Sequence, residues 1–173
     1  MARSRTRAPS STATKTQTVR INGARVKITT KAGKVTTKPA GEEEWVLQAA
    51  VIKALRAHPA FAVAADKVRP GTFTLAGDFN AARRSMREAA KAKATGLTPG
   101  EHDIRLYLYG GVLGLIEMKA KDTPVSKAQK DRHALLHALG FDLQAIVRAT
   151  ATEEAEAAVR AILDEWLAIS KAA

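Results

Sequence analysis

Apolar and polar residues alternate around Asn22-Gly23, with Val19 and Ile21 before the pair and Val26 and Ile28 after it. A period of two on either side of that dipeptide predicts a β-hairpin within residues 18–37. Beyond Pro39-Ala40-Gly41 the period changes. Trp45, Leu47, Ala49, Ile52 and Leu55 predict a helix over residues 42–57, with three glutamates at its positive end and Pro59 at its stop. Residues 61–68 read as a strand, Arg69-Pro70-Gly71 as a turn, and residues 72–75 as a short strand or loop. Residues 80–94 read as a helix closed by Gly96. Two strands, 103–109 and 112–119, flank Gly110-Gly111. Ser126 caps a helix running to Leu139, with Gly140 just past its end, and a strand lies within residues 141–148. Thr150 and Glu153 form a capping box for a last helix reaching Ile169. After residue 40 the order is α, β, α, β, β, α, β, α, which predicts an α/β domain with a mixed sheet flanked by helices.

Charge divides the chain in two. Residues 1–40 carry ten Lys and Arg and no Asp or Glu, whereas the other 133 residues are nearly neutral within a total of +11. A basic arm, residues 1–40, therefore precedes a domain, residues 41–173. Such arms usually meet nucleic acid, with Arg20, Arg25 and Lys27 as candidate contacts, although a solubilising tail has the same composition. The predicted 80–94 helix adds a second basic face through Arg83, Arg84, Arg87 and Lys91. The chain has no cysteine, which excludes disulfides and thiolate metal sites and fits a reducing cytoplasm. No stretch has the length of a membrane span, and the basic N-terminus lacks the apolar block of a secretory signal.

The candidate chemistry lies where the paired strands end. Asp103 opens one strand, and Glu117 and Lys119 close the other. Residues two apart on a strand share a face at roughly 7 Å, so Glu117 and Lys119 point one way and Met118 the other. The turn at Gly110-Gly111 sets Asp103 near them. Two carboxylates can hold Mg²⁺, which polarises a phosphate and lowers the pKa of a bound water, and the Met118 carbonyl could add an oxygen ligand. A neighbouring lysine can orient the water and offset charge building on the phosphate. Glu-x-Lys is a common tripeptide and by itself marks a solvated strand face. Leu113, Leu115 and Ile116 make this strand look buried, and buried charges require a reason.

The set Gly100-Glu101-His102-Asp103, Ile116-Glu117-Met118-Lys119, Ser126-Lys127-Ala128-Gln129 and Gly140-Phe141 resembles the VRR-NUC nucleases of the PD-(D/E)XK superfamily, in particular stand-alone phage members. The stretch from Arg84 to Gly96 is similar to the segment that phage members carry before the aspartate. The likeness covers roughly residues 42–150 and leaves the arm aside. It implies a restriction-endonuclease-like core that binds Mg²⁺, with Mn²⁺ able to substitute. It also implies Asp103 and Glu117 as metal ligands and Lys119 as the catalytic lysine. Gln129 would hold the lysine or a phosphate oxygen. A first-helix glutamate joins the metal shell in the family; Glu44 matches best and Glu43 second, while helix-dipole complementarity explains the same glutamates equally well. The family usually has proline where this chain has His102, which is expected to be exposed.

Other chemistry finds little footing. His133 and His137 stand one helical turn apart, but Ala134 occupies the place of the glutamate in a His-Glu-x-x-His zinc site; His133 shares a face with Gln129 and borders the candidate site. There is no Gly-rich phosphate loop and no Ser or Cys triad. Tyr107 and Tyr109 read as sheet-face residues. The expected activity is a Mg²⁺-dependent endodeoxyribonuclease selective for DNA shape, such as branches or junctions. It would work as a homodimer, in the host cytoplasm if phage-encoded. The rival is a non-catalytic nucleic-acid-binding or packaging protein on the same fold.

Overall fold

A computed structural model of the chain describes residues 13–22, 24–78 and 85–172. The chain forms two compact units, Met1–Gly41 and Glu42–Ala173. Arg83, Arg84 and the start of the helix expected from residue 80 lie outside the described residues.

The first unit is a three-stranded antiparallel sheet, β1 (Lys15–Ile21), β2 (Ala24–Lys31) and β3 (Lys34–Pro39), in that order. The expected hairpin is thus two-thirds of the element. Its β1–β2 register pairs Val19 with Val26 and Ile21 with Ala24, with Asn22 at positive φ (48°) just past β1. The third strand follows a second tight turn at Ala32-Gly33, where both residues have positive φ (48° and 78°). Alanine is not among the residues that favour this conformation, so the turn carries no strong sequence signal.

The second unit is mixed α/β. In chain order it contains α1 (Glu44–Arg56), β4 (Phe73–Gly77), α2 (Met86–Ala94), β5 (Ile104–Leu108), β6 (Val112–Ala120), α3 (Lys127–Ala138), β7 (Gln144–Ala149) and α4 (Thr152–Ala172). The sheet order is β4-β5-β6-β7, antiparallel except for the parallel β6–β7 pair that α3 connects. Two expectations are corrected here. Residues 61–68 make a single bridge, Phe61 to Phe73, followed by a 3-10 turn over Ala65–Lys67. The reason lies in the burial pattern. Ala62 is buried directly after the packed Phe61 while Val63 is open to solvent, so the segment lacks a strand's alternation. At the start of α4 the acceptor for Thr150 is Glu154, whose Oε2 takes both the N–H (2.8 Å) and the hydroxyl (2.9 Å), in place of the expected Glu153.

One face of this sheet forms the core. Leu47, Val51 and Leu55 of α1, Ile104 and Leu106 of β5, Ile116 and Met118 of β6, and Val159, Leu163 and Trp166 of α4 are all buried together. Gly114 belongs to that face, and a Cβ there would lie 2.4 Å from the Trp166 ring. The opposite face at the end of β6 holds Glu117 and Lys119. Among the described residues no helix is long and apolar enough to cross a membrane.

Candidate active site

Asp103 immediately precedes β5, and the β5–β6 register sets Ile104 opposite Ile116. One residue further along, Asp103 reaches the Glu117-Met118 segment, and its Oδ2 accepts from the Met118 N–H at 2.8 Å. Strand alternation sends Met118 into the core and leaves Glu117 and Lys119 together, with Lys119 Nζ 2.9 Å from Glu117 Oε1. Glu44, the first residue of α1, approaches the same ammonium at 3.4 Å, and its other oxygen accepts from the Ala120 N–H at 3.3 Å. Glu43, the second choice for the metal shell, accepts from Trp45 Nε1 at 2.7 Å.

Gln129 stands in the first turn of α3. Its Nε2 donates to Glu117 Oε1, and its Oε1 accepts from the Ser126 N–H at 2.9 Å. Ser126 Oγ in turn accepts from the Gln129 N–H, completing a capping box. The amide thus engages Glu117, where the sequence pointed to the lysine or a phosphate. His133, one turn further along α3, brings Nε2 to 3.7 Å from Glu117 Oε2. His137 faces away and pairs with Asp142 at 2.9 Å. His102 is fully buried, not exposed; its ring stacks on that of His133 with centroids 3.9 Å apart.

Several positioning residues carry no motif signal. Gln48, one helical turn after Glu44 on α1, donates from Nε2 to the main-chain oxygens of Asp103 (3.1 Å) and Asp78 (3.0 Å). Its i, i+4 relation to Glu44 was the available clue. Arg132 of α3 grips Glu101 at 2.7 Å, tying the loop before Asp103 to the helix that holds Glu117. Arg105 joins Asp78 and Glu101 from β5. Gly100 makes the close approach possible. It has φ +85°, and a Cβ there would lie 2.4 Å from the Ala128 carbonyl oxygen.

Electrostatically, Glu117 and Glu44 contact the Lys119 ammonium, and Asp103 lies close enough to feel the charges of Glu117 and Lys119. Burial, reinforced by Glu117, pushes the Asp103 carboxyl up to about 7 against the opposing pull of the Met118 N–H and Lys119. Burial also raises Glu117, against Lys119. Burial works against the Lys119 charge, but Glu117 and Glu44 outweigh it and hold the ammonium above its ordinary range. His102 is lowered to about 4 by burial, helped by His133, Arg105 and Arg132. His133 is lowered by burial as well.

Among the described residues no three His, Asp or Glu side chains stand together as a ready ligand set. Two observations nevertheless fit a divalent cation at Asp103 and Glu117. Both carboxyls are driven towards the neutral form where they stand, and Glu117 Oε2 is buried without a hydrogen-bond partner. Mg²⁺ is often held by one or two carboxylates, with water and substrate phosphate completing its shell. The candidate nucleic-acid contacts lie elsewhere. Arg87 and Lys91 are exposed on α2, Arg20 and Lys27 are exposed on the three-stranded sheet, and Arg25 is half-buried with Nη1 donating to the Gly41 carbonyl at 2.9 Å. Comparison with protein families, with curated proteins and with solved structures finds no match for the chain.

Proposed function

We propose that the chain is a Mg²⁺-dependent nuclease that hydrolyses DNA phosphodiester bonds, built on a core of the restriction-endonuclease type related to the VRR-NUC enzymes. The observation that carries this reading is the pairing of Asp103 and Glu117, two carboxyls that burial raises above their ordinary range, beside the buried, positively charged Lys119. A site with surplus carboxylate and a lysine suits a divalent cation and a phosphate together; a surface that only binds a polyanion gains nothing from buried acids. Asp103 and Glu117 would hold Mg²⁺, with Mn²⁺ able to replace it. When bound, the metal polarises the phosphate and makes water a competent nucleophile near neutral pH.

The chain's own groups divide the remaining work. Lys119 carries a fixed charge in a water-poor site and stabilises negative charge developing on the phosphate oxygens. Glu44 also contacts that ammonium, at 3.4 Å. Gln129 fixes Oε1 of Glu117 and leaves Oε2 without a hydrogen-bond partner, while Gln48 and the Met118 N–H fix the main chain and carboxylate of Asp103. Arg87 and Lys91 on α2 neutralise backbone phosphates, contacts that position DNA without reading its sequence. Recognition of branched DNA and paired cleavage of opposed strands by a homodimer complete the proposal.

Labelled linear, flapped, single-stranded and four-way DNA, each incubated with Mg²⁺ or EDTA, test it. Cleavage is expected only with metal and fastest on branched substrates. Asp103→Asn, Glu117→Gln and Lys119→Ala should each lower the rate by at least about 100-fold while the circular dichroism is unchanged. Cleavage in EDTA, or wild-type rates in two of the three variants, overturns the assignment. Sedimentation of the wild-type protein tests the dimer.

A further inference from the structure

The three-stranded sheet sorts its side chains in a way the linear sequence conceals. From the registers, Val19, Ile21, Val26, Ile28 and Val35 fall on one face. Six cations fall on the other: Arg20, Arg25, Lys27, Lys31, Lys34 and Lys38. Threonines fill the same face, at Thr16, Thr18, Thr29 and Thr36, and no Asp, Glu, Asn or Gln belongs to it. The cations are also set against one another. Arg20 pairs directly with Arg25, Lys27 with Lys38, and Lys31 with Lys34. Like charges directly opposite across strands destabilise a sheet. The two lysine pairs carry the argument: an external polyanion would relieve the repulsion between Lys27 and Lys38 and between Lys31 and Lys34.

We propose that this face is a sequence-independent docking surface for the sugar–phosphate backbone of duplex DNA. The inference rests on the reading of the chain as one that acts on DNA, and adds to it a second binding surface, on a unit that contains none of the candidate catalytic residues. Strands can lie along a DNA groove, and cations flanked by hydroxyls supply the two donor types that phosphate oxygens take. Asn and Gln, which read adenine edges, are missing from the face, Gln17 falls on the opposite one, and comparison of two unrelated duplexes tests whether the cations read guanine. Arg25 is partly committed to the Gly41 carbonyl, so the lysines carry most of the binding.

The test uses the full chain in EDTA, so that binding is read without any cleavage. Two labelled duplexes of unrelated sequence are titrated across a range of salt. The variants are Lys27→Gln/Lys31→Gln/Lys38→Gln, the matching triple Lys→Arg, and Lys15→Gln, which removes a cation from the apolar face. The triple glutamine variant should reduce the log–log salt slope by roughly 2 to 3, about 0.9 for each phosphate no longer neutralised, and equally on both duplexes. The arginine variant should keep the slope, and Lys15→Gln should leave it nearly unchanged. Circular dichroism checks that the sheet persists. An unchanged slope in the glutamine variant overturns the proposal, as does an equal per-charge effect of Lys15→Gln or a difference between the duplexes. Phosphatidylserine vesicles form a further arm: lysine-dependent binding to them without DNA binding would assign the face to a membrane surface and overturn the proposal. A cleavage-inactive protein with the expected salt slopes would refute only the nuclease reading.

Discussion

Gln129 donates a hydrogen bond to Oε1 of Glu117 from the first turn of α3, while the other end of the same amide caps that turn. One side chain therefore ties the stability of a helix terminus to the orientation of a candidate metal ligand. Glu117 Oε1 also receives Lys119 at 2.9 Å, so only Oε2 remains to be supplied with a partner from outside.

Separating these two duties of Gln129 gives the first prediction. Gln129→Ala should cost about 1 kcal/mol through the cap and weaken apparent Mg²⁺ affinity roughly 10–100-fold, as removal of a group that orients a ligand does. Ser126→Ala removes the cap's hydroxyl and leaves the Gln129–Glu117 hydrogen bond, so it should show a comparable drop in stability with near-normal metal dependence. Thermal melts and cleavage against Mg²⁺ concentration distinguish them. Equal metal dependence in the two variants would show that the amide serves the helix alone.

Gly100 links the same helix to the aspartate. Its positive φ and its closeness to the Ala128 main chain leave no room for a Cβ. Gly100→Ala should displace the start of α3 from the loop carrying Asp103, lowering both melting temperature and cleavage rate. Gly96 also has positive φ but has open space around it, so Gly96→Ala should cost stability through backbone strain alone and leave metal dependence intact. Cleavage rates at saturating Mg²⁺ compare the two. A larger fall in rate for Gly96→Ala would contradict the assigned role of the close approach.

Much of this geometry was legible because it follows strand periodicity. Glu117 and Lys119 share a face, Met118 turns into the core, and a Gly-Gly turn brings Asp103 opposite, each from local pattern. Ser126 likewise marked the start of α3, while its capping box with Gln129 appears only in the structure. His102 misled because a polar residue before a strand reads as solvated, whereas a stacking partner from α3, distant in sequence, encloses it. Gln48 and Arg132, and the ion-pair role of Glu101 within its motif, escaped notice for the same reason: these roles depend on pairings between elements. The third strand of the first unit went unseen because an Ala-Gly turn is weak as a sequence signal, and the segregation of cations onto one face appears only once that strand's register is known.

The raised Asp103 carboxyl predicts a trade between stability and metal binding. At pH 8 the ionised group is held in a buried, acid-rich site, and Asn removes that charge while still offering an oxygen to the Met118 N–H. Metal-free Asp103→Asn should therefore melt higher than wild type. Mg²⁺ at ten times its Kd should stabilise wild type by about 1.4 kcal/mol and the variant hardly at all. Scanning calorimetry with and without Mg²⁺ measures both. A lower melting point in metal-free Asp103→Asn, or an equal gain with metal, would mean that Asp103 is not the strained ligand.

The last prediction concerns pH, where Asp103 and its neighbour His102 oppose each other. The folded Asp103 is raised from 3.8 to about 7, so its contribution is present below pH 3.8 and is lost as pH rises towards 7. The folded His102 is lowered from 6.5 to about 4, so its contribution is present above pH 6.5 and is lost as pH falls towards 4. Between about pH 4 and 6.5 the two slopes have opposite sign. Glu117, also raised, adds to the first slope, and His133, also lowered, adds to the second. In EDTA, Asp103→Asn should shift the balance so that stability falls more steeply towards acid than in wild type. His102→Leu should shift it the other way, with stability falling more steeply as pH rises. The leucine also removes two buried nitrogens that lack partners, and the imidazole contacts no reacting group, so Mg²⁺-dependent cleavage should persist. Denaturant midpoints at half-unit pH intervals read the slopes. If both variants tilt in the same direction, the opposed titration is wrong; if His102→Leu folds but loses cleavage, the imidazole belongs to the active site.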